Sequence, residues 1–179
     1  MWHNRGRVND SPPHLDIEYV PTPYSVVDKM LEVCELRPSD LVYDLGCGDG
    51  RLVIAAARDW GARAVGFDLD PARLREARAN VVAAGVAHLV EIRAANLLEV
   101  DLREATVVTL YLSTELNLAL LDNLRALRPG SRIVSHDFEI GEIDPEALWT
   151  VFAEHFAPEP PERDHHILRW TTPLVDLTE

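Results

Sequence analysis

Cysteine is scarce in this sequence, and long apolar runs are missing from it. Cys34 and Cys47 fall in different predicted elements and form no CxxC pair, so no disulfide framework is indicated and both read as buried thiols. The longest uninterrupted apolar run covers residues 52–57, whereas a membrane-spanning helix needs about 20 residues. The start, MWHNRGRVND, lacks the apolar core of a secretory signal, which predicts a cytoplasmic protein without a membrane span.

Basic residues are also few: 17 lysines and arginines face 30 acidic residues, for a net charge of −13. Nucleic-acid binding depends on basic side chains that neutralise phosphates, so this balance argues against a nucleic-acid partner. The same charge favours a cationic substrate or a basic protein partner. An acidic surface that only keeps the protein in solution is the alternative, and the sequence leaves the oligomeric state open.

The 179 residues fit one domain at 18–179, preceded by a polar N-terminal arm at 1–17. A first helix is predicted in YVPTPYSVVDKMLEVCEL, with Thr22 as its cap, Pro23 at its first position and RPSD after its end. Strands are predicted in LVYDLG, ARAVGFDLD, HLVEIRAAN, ATVVTLYL and SRIVSHDF, with helices between them. This alternation predicts an α/β, Rossmann-like, doubly wound and mostly parallel sheet.

Two predictions concern the second half of the chain. One helix is expected over STELNLALLDNLRALRPG, whose leucines recur on one face. The segment DPEALWTVFAEHF either opens as a helix capped by Asp144 or forms a strand that pairs, across APEPPERD, with HHILRWTT. We favour the second alternative, a C-terminal antiparallel hairpin.

The stretch VYDLGCGDGR places three glycines directly after the first predicted strand: Gly46, Gly48 and Gly50. In open parallel sheets, ligands bind at this turn. Arg51 stands where a dinucleotide fingerprint needs its third glycine, and a P-loop lysine is also missing. Asp44 and Asp49 suit a ligand that carries positive charge. Ordinary turn glycines are the alternative interpretation.

A second acidic residue narrows the class of ligand that the site can bind. Asp68 closes the second predicted strand, 24 residues after Asp44, where a carboxylate can accept hydrogen bonds from both hydroxyls of a ribose. The sequence therefore predicts a site for an adenosine without a site for phosphate.

The pair of motifs DLGCGDG and GFDLDP resembles the class I, seven-strand S-adenosylmethionine-dependent methyltransferases, over residues 19–172. The resemblance implies S-adenosylmethionine as cofactor and S-adenosylhomocysteine as product. It also implies that Asp44 and the loop glycines hold the methionine part, that Asp68 holds the ribose and that Leu69 flanks the adenine. Asn96, followed by Leu97, stands where the family has an acid for the adenine amino group. Tyr19 and Thr22 belong to a segment expected to fold over the cofactor.

More narrowly, YVPTP ahead of the loop and VSHDF on the fifth strand resemble small bacterial methyltransferases and the seven-strand protein-lysine methyltransferases. The first hypothesis is therefore methyl transfer to an amine such as a protein lysine, followed by transfer to an oxygen or nitrogen of a small molecule. A non-catalytic cofactor-binding module and a nicotinamide-dependent oxidoreductase are the alternatives from other classes.

Candidate catalytic residues follow the fourth and fifth strands. The fourth ends in YLST rather than in the Asn/Asp-Pro-Pro-aromatic stretch of many enzymes that methylate adenine, cytosine or glutamine, which argues against those acceptors. Tyr111 either lines the acceptor channel or is a buried strand tyrosine. His136 either acts as a base near neutral pH or hydrogen-bonds across the sheet. Asp137 is a candidate to attract an ammonium substrate.

No metal site is predicted. His165 and His166 are neighbours on a predicted strand, so their side chains point to opposite faces of the sheet and do not readily share one ion. His155 is positioned to join one of them if the hairpin forms.

Overall fold

A single seven-stranded sheet organises the computed structural model, which describes residues 19–156 and 161–175. The predicted arm at residues 1–17 lies outside the described residues. The strand order is β3-β2-β1-β4-β5-β7-β6. The strands run over Leu41–Leu45 (β1), Arg63–Asp68 (β2), Val90–Ala94 (β3), Val107–Leu110 (β4), Arg132–His136 (β5), Ala147–Glu154 (β6) and Glu162–Thr171 (β7).

The first five strands are parallel, as the alternation of strands and helices predicts. Both neighbours of β1, namely β2 and β4, pair with it in parallel, and β4 is buried along its whole length. Strands covered on both faces read as nearly continuous apolar runs, as β1 and β4 do, whereas β3 lies at the edge of the sheet and keeps exposed residues. The predicted doubly wound α/β fold is confirmed.

Helices cover both faces of the sheet and enclose two apolar layers. One layer packs under the first three helices and the other under the last two. The helices run over Tyr24–Val33 (α1), Arg51–Trp60 (α2), Pro71–Ala83 (α3), Thr114–Ala119 (α4) and Leu121–Arg125 (α5), with a 3-10 turn at Leu97–Glu99. Among the described helices, none has the combined length and apolarity that a bilayer crossing requires. Both cysteines are free and buried, as expected.

The C-terminal segment forms the antiparallel hairpin that we favoured, and not the alternative helix capped by Asp144. β7 lies between β5 and β6 and is antiparallel to both, with His136 opposite Ile167 and Trp149 opposite Ile167 on the other side. The strand β6 alternates between half-buried and exposed residues, because it is the edge strand and only one of its faces meets the protein.

Two local predictions were wrong. Thr22 does not cap α1: the N-cap is Pro23, without a side-chain hydrogen bond, and the Thr22 hydroxyl instead contacts His136 on β5. The predicted leucine helix divides at Leu120 into α4 and α5. The backbone at Leu120 stays right-handed helical, with φ −83° and ψ −6°, so the predicted apolar face remains buried across the division.

A buried carboxylate joins several elements at the amino ends of the parallel strands, opposite the end that carries the glycine loop. Asp40, 5% exposed, accepts hydrogen bonds from the Thr106 hydroxyl at 2.7 Å and from the backbone N–H of Arg37 at 2.8 Å, and it pairs with Arg132. Arg132 also donates to the Cys34 carbonyl at the end of α1. These bonds link α1, β1, β4 and β5.

We therefore expect Asp40→Asn to lower the free energy of unfolding by about 1–3 kcal/mol, because the charge-assisted bonds are lost in a mostly buried setting. Urea denaturation measures the change. The control is Asp59→Asn, whose exposed partner is Arg58, and which should change stability by less than about 0.5 kcal/mol. Equal stability losses in the two variants would contradict a structural role for Asp40.

Candidate functional site

A cavity of about 660 Å³ opens at the carboxyl ends of the parallel strands. It lies where β1 meets β4, the point at which the strand order reverses and where open α/β sheets bind ligands. The wall contains most of the predicted site residues: Tyr19, Thr22, Asp44, Gly46, Asp68, Leu69, Asn96, Leu97 and Tyr111. The remaining four predicted residues, Gly48, Gly50, His136 and Asp137, are not among the residues that line the cavity.

A buried carboxylate stands at the base of the cavity. Asp44, 7% exposed, accepts a 2.7 Å hydrogen bond from the hydroxyl of Thr109 on β4. Burial raises the pKa of Asp44 to about 7; the Thr109 bond opposes this shift, and the charges of Asp68 and Asp49 add to it. Within the described part of the chain, no cation pairs with this carboxylate. The site is therefore suited to receive a positively charged group.

The glycine loop leaves no room for side chains at two of its positions. Gly46 has φ +83°, and a Cβ there would lie 2.9 Å from the Leu112 side chain. Gly48 has φ +53°, and a Cβ there would lie 2.3 Å from the Tyr19 ring. Both positions thus need glycine for conformation and for space. Gly50 faces away from the cavity and packs against Ala77 of α3.

Asp68 organises the turn after β2. One carboxylate oxygen accepts from the backbone N–H of Gly48 at 3.0 Å, and the other accepts from the N–H groups of Leu69 and Asp70 at 2.8 and 3.0 Å. The side chain therefore ties two loops together while it lines the cavity. The oxygen that accepts from Gly48 makes only this one bond, so it keeps a lone pair for a ligand hydroxyl.

Arg51 fastens the N-terminal segment to the glycine loop. It pairs with Asp49 at 2.7 Å and donates to the carbonyl of Thr22 at 2.8 Å, and its guanidinium lies 4.8 Å from the centre of the Tyr24 ring. The sequence showed this arginine only as the residue that breaks the dinucleotide pattern. Its role in holding the segment that carries Tyr19 depends on contacts 29 residues apart, which no local motif reveals.

Asn96 reaches the cavity from the loop after β3, as predicted, but its amide is already engaged. The side-chain oxygen accepts from the N–H of Leu98 at 3.2 Å, and the amide nitrogen donates to Glu99 at 3.0 Å. Asn96 thereby caps the 3-10 turn that begins at Leu97. The oxygen keeps a second lone pair for a ligand amine.

Aromatic side chains form the opposite end of the cavity. Tyr111, directly after β4, and Phe138, the second residue after β5, both line the wall, and their ring centres lie 6.1 Å apart. Tyr111 stacks on His136, with ring centres 3.8 Å apart and an angle of 30° between planes. Burial raises the pKa of Tyr111, so its phenol is neutral near pH 7. Phe138 was missed in the sequence because only its two predecessors suggested chemistry.

His136 itself is fully buried behind Tyr111. Its Nδ1 contacts the Thr22 hydroxyl at 3.2 Å, and its Nε2 lies 2.8 Å from Nδ1 of His165 on β7. Burial lowers the pKa of His136 to about 3, which keeps the ring neutral at physiological pH. Of its two predicted roles, the hydrogen bond across the sheet is present.

Asp137 is held by Arg163, a residue of β7 that the sequence did not indicate. Burial acts to raise the pKa of this carboxyl group, but the Arg163 guanidinium and the backbone N–H of His166 outweigh it, so the pKa is lowered. Because its charge is already paired, Asp137 is less suited than Asp44 to attract a cationic ligand.

Three potential metal ligands also meet here: His136, Asp137 and His165 bring nitrogen or oxygen atoms within 4.8 Å of one another. The guanidinium of Arg163 lies against the same Asp137 oxygen and supplies the positive charge there. His165 is buried whereas His166 is exposed, as predicted for adjacent residues of a strand. His155 does approach His165, with ring centres 5.7 Å apart.

The comparisons with known proteins agree with this geometry. The ANTKMT methyltransferase domain family matches residues 44–147. A protein-lysine N-methyltransferase of Saccharolobus islandicus is 48% identical over 138 residues, which cover 76% of this chain and 84% of that protein. The adenine nucleotide translocase lysine N-methyltransferase of Mus musculus is 33% identical over 138 residues, covering 76% of this chain and 60% of that protein.

A solved structure is also similar. The RNA methyltransferase of Salinibacter ruber, in complex with S-adenosylhomocysteine, superposes with a TM-score of 0.77 at 46% identity, covering 89% of this chain and 98% of that chain. The residues of the present cavity fit such a ligand. Asp44 is a buried carboxylate that can pair with the ammonium of the ligand, and the backbone of the glycine loop is exposed to the cavity at Gly46. The chain belongs to the ANTKMT methyltransferase domain family and is an S-adenosylmethionine-dependent methyltransferase.

Proposed function

We propose that this enzyme methylates the ε-amine of lysine side chains in a protein. The observation that carries the proposal is the 48% identity, over most of both chains, to a protein-lysine N-methyltransferase. The net charge of −13 supports it, because a lysine-rich protein is attracted by an acidic surface whereas a phosphate backbone is repelled. Transfer to RNA is the second candidate, since the Salinibacter ruber relative is described as an RNA methyltransferase.

For the cofactor, we propose the residues on the β1 and β2 side of the cavity. Asp44 receives the ammonium of the methionine part, Asp68 accepts from the ribose hydroxyls, and Leu69 flanks the adenine together with Asn96 and Leu97 on the facing loop. Gly46 and Gly48 shape the loop beside the methionine part, and Gly50 seats that loop on α3. Tyr19 covers the loop from the N-terminal segment, with its ring against Gly48.

For the acceptor, we propose the aromatic end. A lysine brings a long alkyl stem and an amine, and the faces of Tyr111 and Phe138 suit both, since aromatic faces pack against methylenes and attract cations. The ammonium must first lose one proton to water. S-adenosylmethionine, held by Asp44, Asp68 and Leu69, would supply the methyl group from its sulfonium, and the electron pair of the broken C–S bond would stay on sulfur as the N–C bond forms.

The protein's contribution is alignment of the two substrates. We assign His136 a positioning role behind Tyr111, because it lies off the cavity wall, has both ring nitrogens engaged and has a pKa of about 3. Asp137, paired with Arg163, fixes the turn after β5 in the same way.

Cofactor binding should depend on pH through Asp44. The carboxyl is half protonated near pH 7 in the free enzyme, and a bound ammonium favours the ionised form, so the affinity for S-adenosylhomocysteine should rise by about tenfold between pH 6 and pH 8. Calorimetry in buffers of different ionisation enthalpy should detect proton release on binding below pH 7.

Thr109→Val sharpens this test. Loss of the hydroxyl donor should raise the pKa of Asp44 further and move the same affinity rise to higher pH. An affinity that does not change between pH 6 and pH 8 in either protein would contradict the assignment of Asp44 to the ammonium.

A substitution at the aromatic end of the cavity should affect the methyl acceptor and leave the affinity for the cofactor nearly unchanged. Tyr111→Ala should raise the KM for a protein acceptor by about tenfold, because the stem loses its aromatic wall, while the affinity for S-adenosylhomocysteine changes by less than about twofold. Tyr111→Phe, which keeps the aromatic ring, should have a KM close to that of the wild type. Phe152→Ala, at an exposed position of β6, is the control. A Tyr111→Ala variant that loses cofactor affinity instead would place Tyr111 in the cofactor site.

The proposed acceptor is tested by incubating the enzyme and cell lysate with cofactor tritiated in its methyl group. We expect the label in protein, recovered as methylated lysine after acid hydrolysis. Label that is removed by ribonuclease would favour RNA, and label confined to small molecules would favour the small-molecule alternative; either result would overturn the lysine proposal.

A further inference from the structure

A buried line of hydrogen bonds runs from the cavity wall across two strands. It begins at the hydroxyl of Thr22, a residue of the cavity wall. The hydroxyl oxygen lies 3.2 Å from Nδ1 of His136, whose Nε2 lies 2.8 Å from Nδ1 of His165. Nε2 of His165 lies 3.1 Å from the carbonyl oxygen of Glu154 on β6. Both imidazoles are fully buried.

The direction of every hydrogen bond in this line follows from the group at its far end, the carbonyl of Glu154. The Glu154 carbonyl only accepts, so Nε2 of His165 carries a proton and donates it. A neutral His165 then has a bare Nδ1, which must accept from Nε2–H of His136. Nδ1 of His136 is in turn bare and accepts from Thr22. The hydroxyl hydrogen of Thr22 therefore points away from the cavity.

A nearby charge supports the same direction. An oxygen of Asp137 lies 3.4 Å from Nε2 of His136 and 4.0 Å from Nδ1 of His165. A carboxylate stabilises a proton between these two nitrogens and disfavours the tautomer in which both face it with lone pairs. Arg163 holds this carboxylate in place from β7.

We infer that His136 and His165 are positioning residues that present Thr22 to the cavity as a hydrogen-bond acceptor, and that Thr22 serves the acceptor amine rather than the cofactor. An amine needs acceptors for its N–H groups while its lone pair faces the methyl group. Thr22 with its hydrogen turned inward offers such an oxygen. The inference rests on the proposed function and replaces the assignment of Thr22 implied by family resemblance.

The shared neighbour His136 locates Thr22 at the acceptor end. His136 stacks on Tyr111 and bonds to Thr22, so the two wall residues flank the same imidazole. Asp44, in contrast, belongs to the β1 side of the cavity, where it bonds to Thr109. One rigid histidine thus sets the aromatic face for the lysine stem and the oxygen for its amine together.

The tautomers can be measured on the unaltered enzyme. A long-range proton–nitrogen correlation spectrum of ¹⁵N-histidine-labelled protein should show His136 and His165 both neutral and both protonated at Nε2. A His136 ring protonated at Nδ1 would reverse the bond to Thr22 and overturn the inference. This measurement does not depend on the identity of the methyl acceptor.

Kinetics test the role of the hydroxyl. Thr22→Val should lower kcat with a protein lysine acceptor by about tenfold to a hundredfold, because the amine nitrogen becomes positively charged in the transition state and loses a hydrogen-bond acceptor there. The affinity for S-adenosylhomocysteine should change by less than about twofold. Thr22→Ser, which retains the hydroxyl, should restore kcat to within about threefold of the wild type.

The matched control is Thr150→Val. Thr150 makes the same kind of contact, to Nδ1 of His166 at 3.4 Å, but on the exposed face of the hairpin, and its kcat should equal that of the wild type. A Thr22→Val variant that loses cofactor affinity in proportion to kcat would return Thr22 to the cofactor and overturn the inference. If the wild type does not methylate lysine at all, the proposed function fails, whereas the tautomer spectrum still decides the direction of the bonds.

Discussion

A carboxylate buried without a cationic partner in the described part of the chain is the constraint on which this site depends. Asp44 lies at the end of β1, where the order of the parallel strands reverses, and the hydroxyl of Thr109 on β4 is its neighbour. Burial of an ionised carboxylate is costly unless a partner compensates it, and the pKa of about 7 expresses that cost. A ligand with a positive charge supplies the missing partner, and the open glycine loop gives it access to the backbone.

The rest of the cavity follows from the topology of the sheet. The carboxyl ends of β1 and β2 bring Asp44 and Asp68 to one side, and those of β4 and β5 bring Tyr111 and Phe138 to the other. In the arrangement that we propose, the two reactants meet between a polar and an aromatic wall. The hairpin of β6 and β7 then adds His165 and Arg163 behind the aromatic wall, where they fix its orientation.

The sequence predicted the parts of this architecture that depend on local patterns. The apolar strands, the glycine spacing and the acid at Asp68 are short-range signals, and they lie where expected. The errors have a physical cause in long-range contacts: Thr22 was expected to cap the helix beside it, but its hydroxyl bonds to a histidine 114 residues away. The ion pair between Asp137 and Arg163 and the hydrogen bond from Thr109 to Asp44 also join residues that are far apart in the chain. No spacing in the sequence predicts these contacts.

The most direct test of the account is the affinity of Asp44→Asn for S-adenosylhomocysteine, measured by calorimetry beside the wild type at pH 8. The substitution keeps the shape of the side chain and removes only its charge. We predict that the variant folds and binds about tenfold to a hundredfold more weakly, because the ammonium loses its counter-ion. An affinity equal to that of the wild type would contradict the claim that this buried carboxylate selects the ligand.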